Sequence, residues 1–324
     1  MRAAFGFGFG LPLGDSGDAP AIDWNFAGGV LPSALTFSRA SLATMYDAAG
    51  TLVTASSGSP RLTYDPVTHA ALGLLVEEQR TNLLLNSLLD GTNLSTQSVT
   101  VAATQYTLSF YGTGQIVLSG SATATVVGTG AFPTQKTYTF TPSAGSLTLT
   151  VTGTVQFAQL EAGAFATSYI PTGAASATRA ADVVTCTGAA FSSWFNGTEG
   201  TLLDEFACAA MSNSPSGASL NGCGWNDNST QALWWDGVAN TATPSTVAVG
   251  QARRQVVAWD AAGYSISANG STPTTVTGRQ PWPSARSALQ LGGIGSIQYI
   301  NGPIKRVRYW RKRLTNAQLQ ALTA

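Results

Sequence analysis

Residues 91 to 160 contain no acid and a single base, Lys136, and their apolar and polar residues alternate. The alternation is plain at Tyr106-Thr107-Leu108-Ser109-Phe110, at Tyr138-Thr139-Phe140 and at Leu147-Thr148-Leu149-Thr150-Val151. A period of two puts one set of side chains on one face of a strand, so each segment reads as half-buried. Gly, Pro and Ser punctuate the segments. A nearly uncharged run of short strands hides its apolar faces by stacking sheet on sheet, which predicts a small antiparallel sandwich. Residues 155 to 160 supply a closing strand, and Phe165 to Arg179 form a Pro- and Gly-bearing connection.

The flanks carry the same signal. Ala43-Thr44-Met45-Tyr46 and Leu52-Val53-Thr54 surround Asp47-Ala48-Ala49-Gly50, a hairpin with a Gly-ended loop. Arg61 to Tyr64 and Leu72 to Val76 surround a second turn at Asp65-Pro66-Val67-Thr68. Residues 180 to 324 hold seven of the eight tryptophans and recurring strand segments, around 201–207, 232–235, 255–259, 264–268, 288–291 and 302–309. One helix is predicted, Thr315 to Leu322, capped at Thr315 or Asn316, with Leu319 and Leu322 on its inner face. The predicted class is all-β, two antiparallel β-sandwiches after an N-terminal anchor and a β-hairpin collar. The C-terminal sandwich is expected to be jelly-roll-like. The expected divisions are 1–21 anchor and linker, 22–90 collar, 91–179 small sandwich and 180–324 C-terminal sandwich.

Charge bounds the function. Only 10% of the 324 residues are charged, with 16 basic against 16 acidic, so a general nucleic-acid binder is not expected. No apolar run reaches the ~18 residues of a membrane helix, and membrane insertion is not expected. Cys186, Cys208 and Cys223 form no CxxC pair and are an odd number. They read as buried thiols in a protein assembled in a reducing cytoplasm. Neither a metal nor a cofactor is expected. Met1 to Leu13 has the length and leading charge of a signal peptide, but Gly alternates with Phe. The alternative is an extended segment with Phe5, Phe7 and Phe9 on one face, which needs a partner surface.

Several stretches resemble known families. Phe37-Ser38-Arg39-Ala40-Ser41, together with Gly73-Leu74-Leu75-Val76-Glu77-Glu78-Gln79-Arg80-Thr81-Asn82-Leu83, resembles a module of phage and prophage structural proteins, found in tail fibres, head spikes and gene-transfer-agent spikes. Residues 165–172 and Thr178-Arg179-Ala180-Ala181-Asp182 resemble the exit from the adjoining sandwich in those proteins, itself similar to carbohydrate-binding modules. Gly200-Thr201-Leu202, the 259–269 hairpin and the 302–308 strand leading to residues 314–319 resemble the concanavalin A-like, laminin G-like lectin fold. The resemblance implies a virion structural protein, a head or tail fibre or spike. It would be assembled in the bacterial host cytoplasm, joined to other virion proteins through its N-terminus, and attached to host surface polysaccharide. The nearly uncharged 91–160 stretch suits a permanent assembly, a homotrimer, with a pentamer as the alternative. A capsule or surface-polysaccharide depolymerase and a free bacterial lectin are the competing readings.

The residues bear on that choice. Glu77-Glu78 and Asp204-Glu205 are adjacent pairs that point to opposite strand faces, so neither flanks one substrate. Glu77 or Glu78 is expected to pair with Arg80 or Arg39. His69, the lone histidine, sits on a turn with no Gly-x-Ser-x-Gly elbow elsewhere. The expectation is a chain that is not an enzyme. Sugar rings stack on aromatic platforms flanked by a few polar groups. Trp225, Asn226, Asp227, Trp235 and Trp282 are the candidate glycan-binding residues. Of the adjacent Trp234 and Trp235, one is expected in the core and one outside. Residues 305–313 hold six bases. On a regular strand Arg306 and Arg308 share one face, with Lys305, Val307 and Tyr309 on the other, and the run suits an anionic partner or a protected edge.

Overall fold

The computed structural model describes residues 19–208, 216–228, 230–246 and 250–324. Phe5, Phe7 and Phe9 lie outside the described residues, as does most of the linker. Among the described residues the chain is nearly all β, in antiparallel sheets, as expected. Its two α-helices are the short Gly188–Ser192 and the C-terminal Asn316–Thr323.

The charge-poor stretch forms the small sandwich. Gln97–Val101, Gly145–Thr152, Gln115–Gly120 and Ala124–Val127 make one sheet, and Lys136–Phe140, Tyr106–Tyr111 and Gln156–Ala162 the other. Alternation sends Ile116, Leu118, Leu147 and Leu149 inward to meet Leu108, Phe110 and Leu160, all fully buried. Each such side chain contributes about 2 kcal/mol.

The larger sandwich has an eight-stranded and a seven-stranded sheet among the described residues. Gly200–Phe206 lies between Arg253–Asp260 and Gly302–Trp310 at the centre of the first. Cys223–Trp225 and Gln231–Trp235 pair in the second. Trp259, Tyr264 and Phe206 of one sheet meet Trp225, Trp234 and Leu289 of the other in a single core. The outer face of the eight-stranded sheet is also apolar at its centre. There Leu203, Val256, Ala258 and Trp310 are covered by Leu314 and by Leu319 of the C-terminal helix, with Leu322 packed alongside. That helix starts at a capping box, in which Thr315 accepts from the Gln318 N–H and Gln318 reaches back to the Thr315 N–H.

Residues 22–76 do more than connect. Ile22–Asn25 and Ala71–Val76 pair with different halves of Gly302–Trp310, placing Trp24 opposite Val307 and Leu74 opposite Ile304. Thr36–Ser38 extends the seven-stranded sheet beside Val183–Thr187. Gly73 has φ +115°, and a Cβ there would lie 2.1 Å from the Ile304 carbonyl oxygen, so this close strand approach requires glycine. The Ala43–Tyr46 and Leu52–Ala55 hairpin forms as expected, with Asp47 accepting from the Ala49 and Thr51 N–H groups.

A buried ion cluster ties these parts together. Arg39 donates to Asp182 at 3.0 Å, and Arg61 reaches both Asp182 and, at 2.7 Å, Glu77. Arg179 meets Glu77 at 2.9 Å, and the Ser168 N–H and hydroxyl donate to the same carboxylate. The segments around Arg39, Glu77, Ser168 and Arg179 are therefore a clamp joining collar, small sandwich and large sandwich. The expected pairing is corrected in part: Glu78 pairs with Arg80, whereas Glu77 pairs with Arg61 and Arg179, and Arg39 with Asp182.

The basic run is also corrected. The pairing shifts between Glu205 and Phe206, which face Arg306 and Ile304, so Lys305 is an extra residue in a β-bulge. The bulge turns Lys305 outward with Arg306 and Arg308, leaving Ile304, Val307 and Tyr309 buried. These outward bases meet acids: Arg306 and Arg308 share Asp23, and Lys305 faces Glu205.

Candidate functional site

The five residues proposed from sequence do not gather at one place. Trp225 and Asp227 are 0% exposed, because Cys223–Trp225 is an inner strand of the seven-stranded sheet and both side chains point between the sheets. Trp225 packs edge-on against Trp234, its partner across the strands, with ring centroids 5.3 Å apart. As ligand-facing groups these two are corrected: they are core. Asn226 and Trp235 are half-buried on the opposite side, and Asn226 accepts from Gln298. Of the tryptophan pair, Trp234 is the core member and Trp235 the outer one.

Asp227 has a second carboxylate near it inside the sandwich. Burial raises the Asp204 pKa well above the usual range, and the charge of Asp227 adds to the effect. Burial likewise raises Asp227, to about 7, against the pull of Arg253. The two acids face into the core beside Gln255, which donates to Asp204 at 3.2 Å. Both are fully buried, so they serve the interior and not a surface ligand.

Trp282 leads to a different place. Its ring, 6% exposed, packs on Trp259 at 4.7 Å and on Phe195 at 5.7 Å. Phe195 stacks on Phe191 at 4.6 Å, one turn earlier in chain order. An open groove of about 450 Å³ lies over these rings, with half-buried Phe195 at its floor and the buried Phe191 and Trp282 packed behind it. Ser192, Gly197, Thr198, Ala285 and Arg286 complete its lining. The flanking pieces are stiff. Pro281 and Pro283 bracket Trp282 and fix the chain there. Asn196 accepts from the Thr198 N–H and hydroxyl, which sets the turn after Phe195. Arg286 is held by the carbonyl oxygens of Ser284, Leu220 and Asn221. An apolar floor with a few fixed polar groups at its rim can stack a sugar ring and bind its hydroxyls.

Sequence reasoning missed Phe191, Phe195 and Arg286. The first two had a readable signal: an i, i+4 aromatic pair in Ala189-Ala190-Phe191-Ser192-Ser193-Trp194-Phe195, the spacing of one helical turn. Arg286 had none, since its surroundings come from residues some 65 positions away.

Two other concavities are occupied by their own charges. A hollow of about 490 Å³ lies beside Arg80, which is paired with Glu78 at 2.5 Å and covered by the Phe165 ring. A groove of about 440 Å³ on the outer face of the eight-stranded sheet holds Lys305, Arg306 and Arg308, paired as described above. Among the described residues, no group of three or more His, Cys, Asp or Glu gathers to hold a metal. No helix among them is long and apolar enough to cross a membrane.

No protein-family model matches the chain, and no curated protein does. Solved structures give partial likenesses. A Trypanosoma rangeli sialidase in complex with the inhibitor DANA is 13% identical, over 44% of this chain and 26% of that one, at a TM-score of 0.36. The NanB sialidase from Streptococcus pneumoniae is 16% identical, over 41% of this chain and 25% of that one, at 0.33. The CBM40 of a Ruminococcus gnavus IT-sialidase, bound to alpha2,3 sialyllactose, is 18% identical, over 39% of this chain and 83% of that one, at 0.31. The chain thus spans about a quarter of the length of the sialidases it matches. The expectation that the chain is not an enzyme is overturned by the presence of sialidases among the similar structures, and it is not carried further. Matches this partial leave the chemistry to the geometry of the groove.

Proposed function

We propose that the chain binds glycan through the groove at Trp282, and that it does so as a structural fibre or spike protein of a virion attaching to host cell-surface polysaccharide. The observation that carries the binding reading is the groove itself, with half-buried Phe195 at its floor, held rigidly by the buried Phe191 and Trp282, and hydroxyl and guanidinium groups at the rim. The virion reading is supported by the resemblance of the clamp segments to phage and gene-transfer-agent spike modules. In that reading Phe5, Phe7 and Phe9 dock on another virion protein, the assembly is a homotrimer or pentamer, and it forms in the bacterial host cytoplasm.

The test is binding of purified protein to extracted host polysaccharide. Thr198→Arg fills the exposed rim while keeping the backbone N–H bond to Asn196. It is expected to lower affinity at least tenfold, about 1.4 kcal/mol or more, while the protein remains folded. Undiminished binding by a folded Thr198→Arg variant refutes the groove as the site. Polymer length measured in the same samples reports whether binding is accompanied by cleavage. Immunogold labelling of particles tests the virion reading: label on particles supports it, and label absent from them favours a free lectin.

A further inference from the structure

We infer that the groove at Trp282 selects saccharides bearing a carboxylate, and that Arg286 is the group that recognises the charge; this rests on the glycan-binding reading of the same groove. Stacking on Phe195 is blind to ligand charge, as are the hydroxyls of Ser192 and Thr198. Arg286 differs from the bases of the two concavities described above. Arg80 has Glu78, Arg306 and Arg308 have Asp23, and Lys305 has Glu205. Among the described residues Arg286 has no carboxylate partner. Asp236, the acid whose charge reaches the neighbouring Cys223, is itself paired with Arg279 at 2.8 Å.

The donors of Arg286 can be counted. Its Nε donates to the Ser284 carbonyl at 2.9 Å, and its Nη1 to the Leu220 and Asn221 carbonyls at 3.0 and 3.1 Å, with Cys223 Sγ alongside. Its Nη2 donates to the Ser284 hydroxyl at 2.6 Å. A guanidinium has five N–H groups, so one on Nη2 is uncommitted. All the acceptors are neutral, so the positive charge is uncompensated by any acid among the described residues. The bonds also fix the side chain in advance, so little conformational entropy remains to be lost when a ligand arrives. A neutral hydroxyl gains one hydrogen bond from such a group. A carboxylate gains a charge-assisted bond, roughly twice as strong.

The experiment uses a short oligosaccharide containing glucuronic acid and the same oligosaccharide with its carboxyls reduced to alcohols. The full-length protein is expected to bind the acidic form about tenfold more tightly at ~20 mM salt, and this preference is expected to shrink by ~0.5 M salt. Arg286→Gln should abolish the preference. Because Arg286 also holds the 220–221 turn, a second variant protects the test: Ala285→Glu, on the groove lining, places a carboxylate beside Arg286 and should abolish the preference with the arginine intact. Equal binding of both forms by the parent overturns the inference and leaves the glycan reading standing. Binding of neither form overturns both. A preference that survives in folded Arg286→Gln and Ala285→Glu proteins assigns the recognition elsewhere and overturns the role of Arg286.

Discussion

Replacing Glu77 by glutamine tests the clamp that joins the three parts of the chain. Glutamine keeps the shape and removes the charge. It leaves the buried Arg39 and Arg61 sharing Asp182 and takes from the buried Arg179 the carboxylate it is paired with. Breaking a buried pair in this way costs about 3–5 kcal/mol. The titration of Glu77 gives an independent figure. Burial alone raises its pKa, but Arg179, Arg61 and the two Ser168 donors outweigh burial and lower it from 4.5 to about 2. That drop corresponds to about 3 kcal/mol at ~1.36 kcal/mol per unit. The sign follows from linkage. A carboxylate with a depressed folded pKa stabilises the fold above its unfolded pKa, and the contribution disappears as pH falls through the folded one. The contribution is therefore full above about pH 4.5 and lost toward pH 2. Urea unfolding followed by tryptophan fluorescence, on parent and Glu77→Gln at pH 7 and pH 2.5, measures both effects. The variant should be less stable by about 3 kcal/mol or more at pH 7, and the gap should narrow at pH 2.5. A loss below about 1 kcal/mol at pH 7, or a gap of equal size at both pH values, refutes the reasoning.

Three further outcomes are expected. Asp204→Asn removes a buried acid whose raised pKa makes the fold lose stability as pH rises above the unfolded value of 3.8. The variant should therefore be more stable than the parent at pH 7, by on the order of 1 kcal/mol, with the difference vanishing near pH 4; a less stable variant at pH 7 contradicts the assignment. Thr315→Ala removes the capping box of the C-terminal helix and should cost about 1 kcal/mol in thermal or chemical unfolding, and a change within ~0.2 kcal/mol means that Leu319 alone holds the helix. Gly73→Ala places a methyl 2.1 Å from the Ile304 carbonyl oxygen at φ +115° and should destabilise by more than about 1 kcal/mol, whereas a neutral result would mean the strands separate at little cost.

Much of the fold was legible because strand alternation is a local property. Leu147, Leu149 and Val151 announce their strand without reference to anything distant, and Trp234 against Trp235 follows from the same rule. Pairing is not local. Nothing near Trp24 says that it lies opposite Val307, some 280 residues later. The bulge at Lys305 shows how one inserted residue reverses the facing of every side chain after it. Of the candidate site, the stiffness of the chain at Trp282 was legible from its two prolines. Trp225 was misread because an aromatic beside Asn and Asp looks like a sugar platform until its cross-strand neighbour, Trp234, is known. The clamp was half legible: the acids and arginines stood out in sequence, but their partners depend on how three chain segments converge.

Amide hydrogen exchange, with and without saturating host polysaccharide, tests the groove most directly. It reads every segment of the intact protein at once, and protection marks the backbone that ligand covers. Binding at the groove predicts new protection confined to residues 191–198 and 281–286. Protection centred instead on residues 231–244, behind Trp235, or on the small sandwich, with the groove segments unchanged, contradicts it.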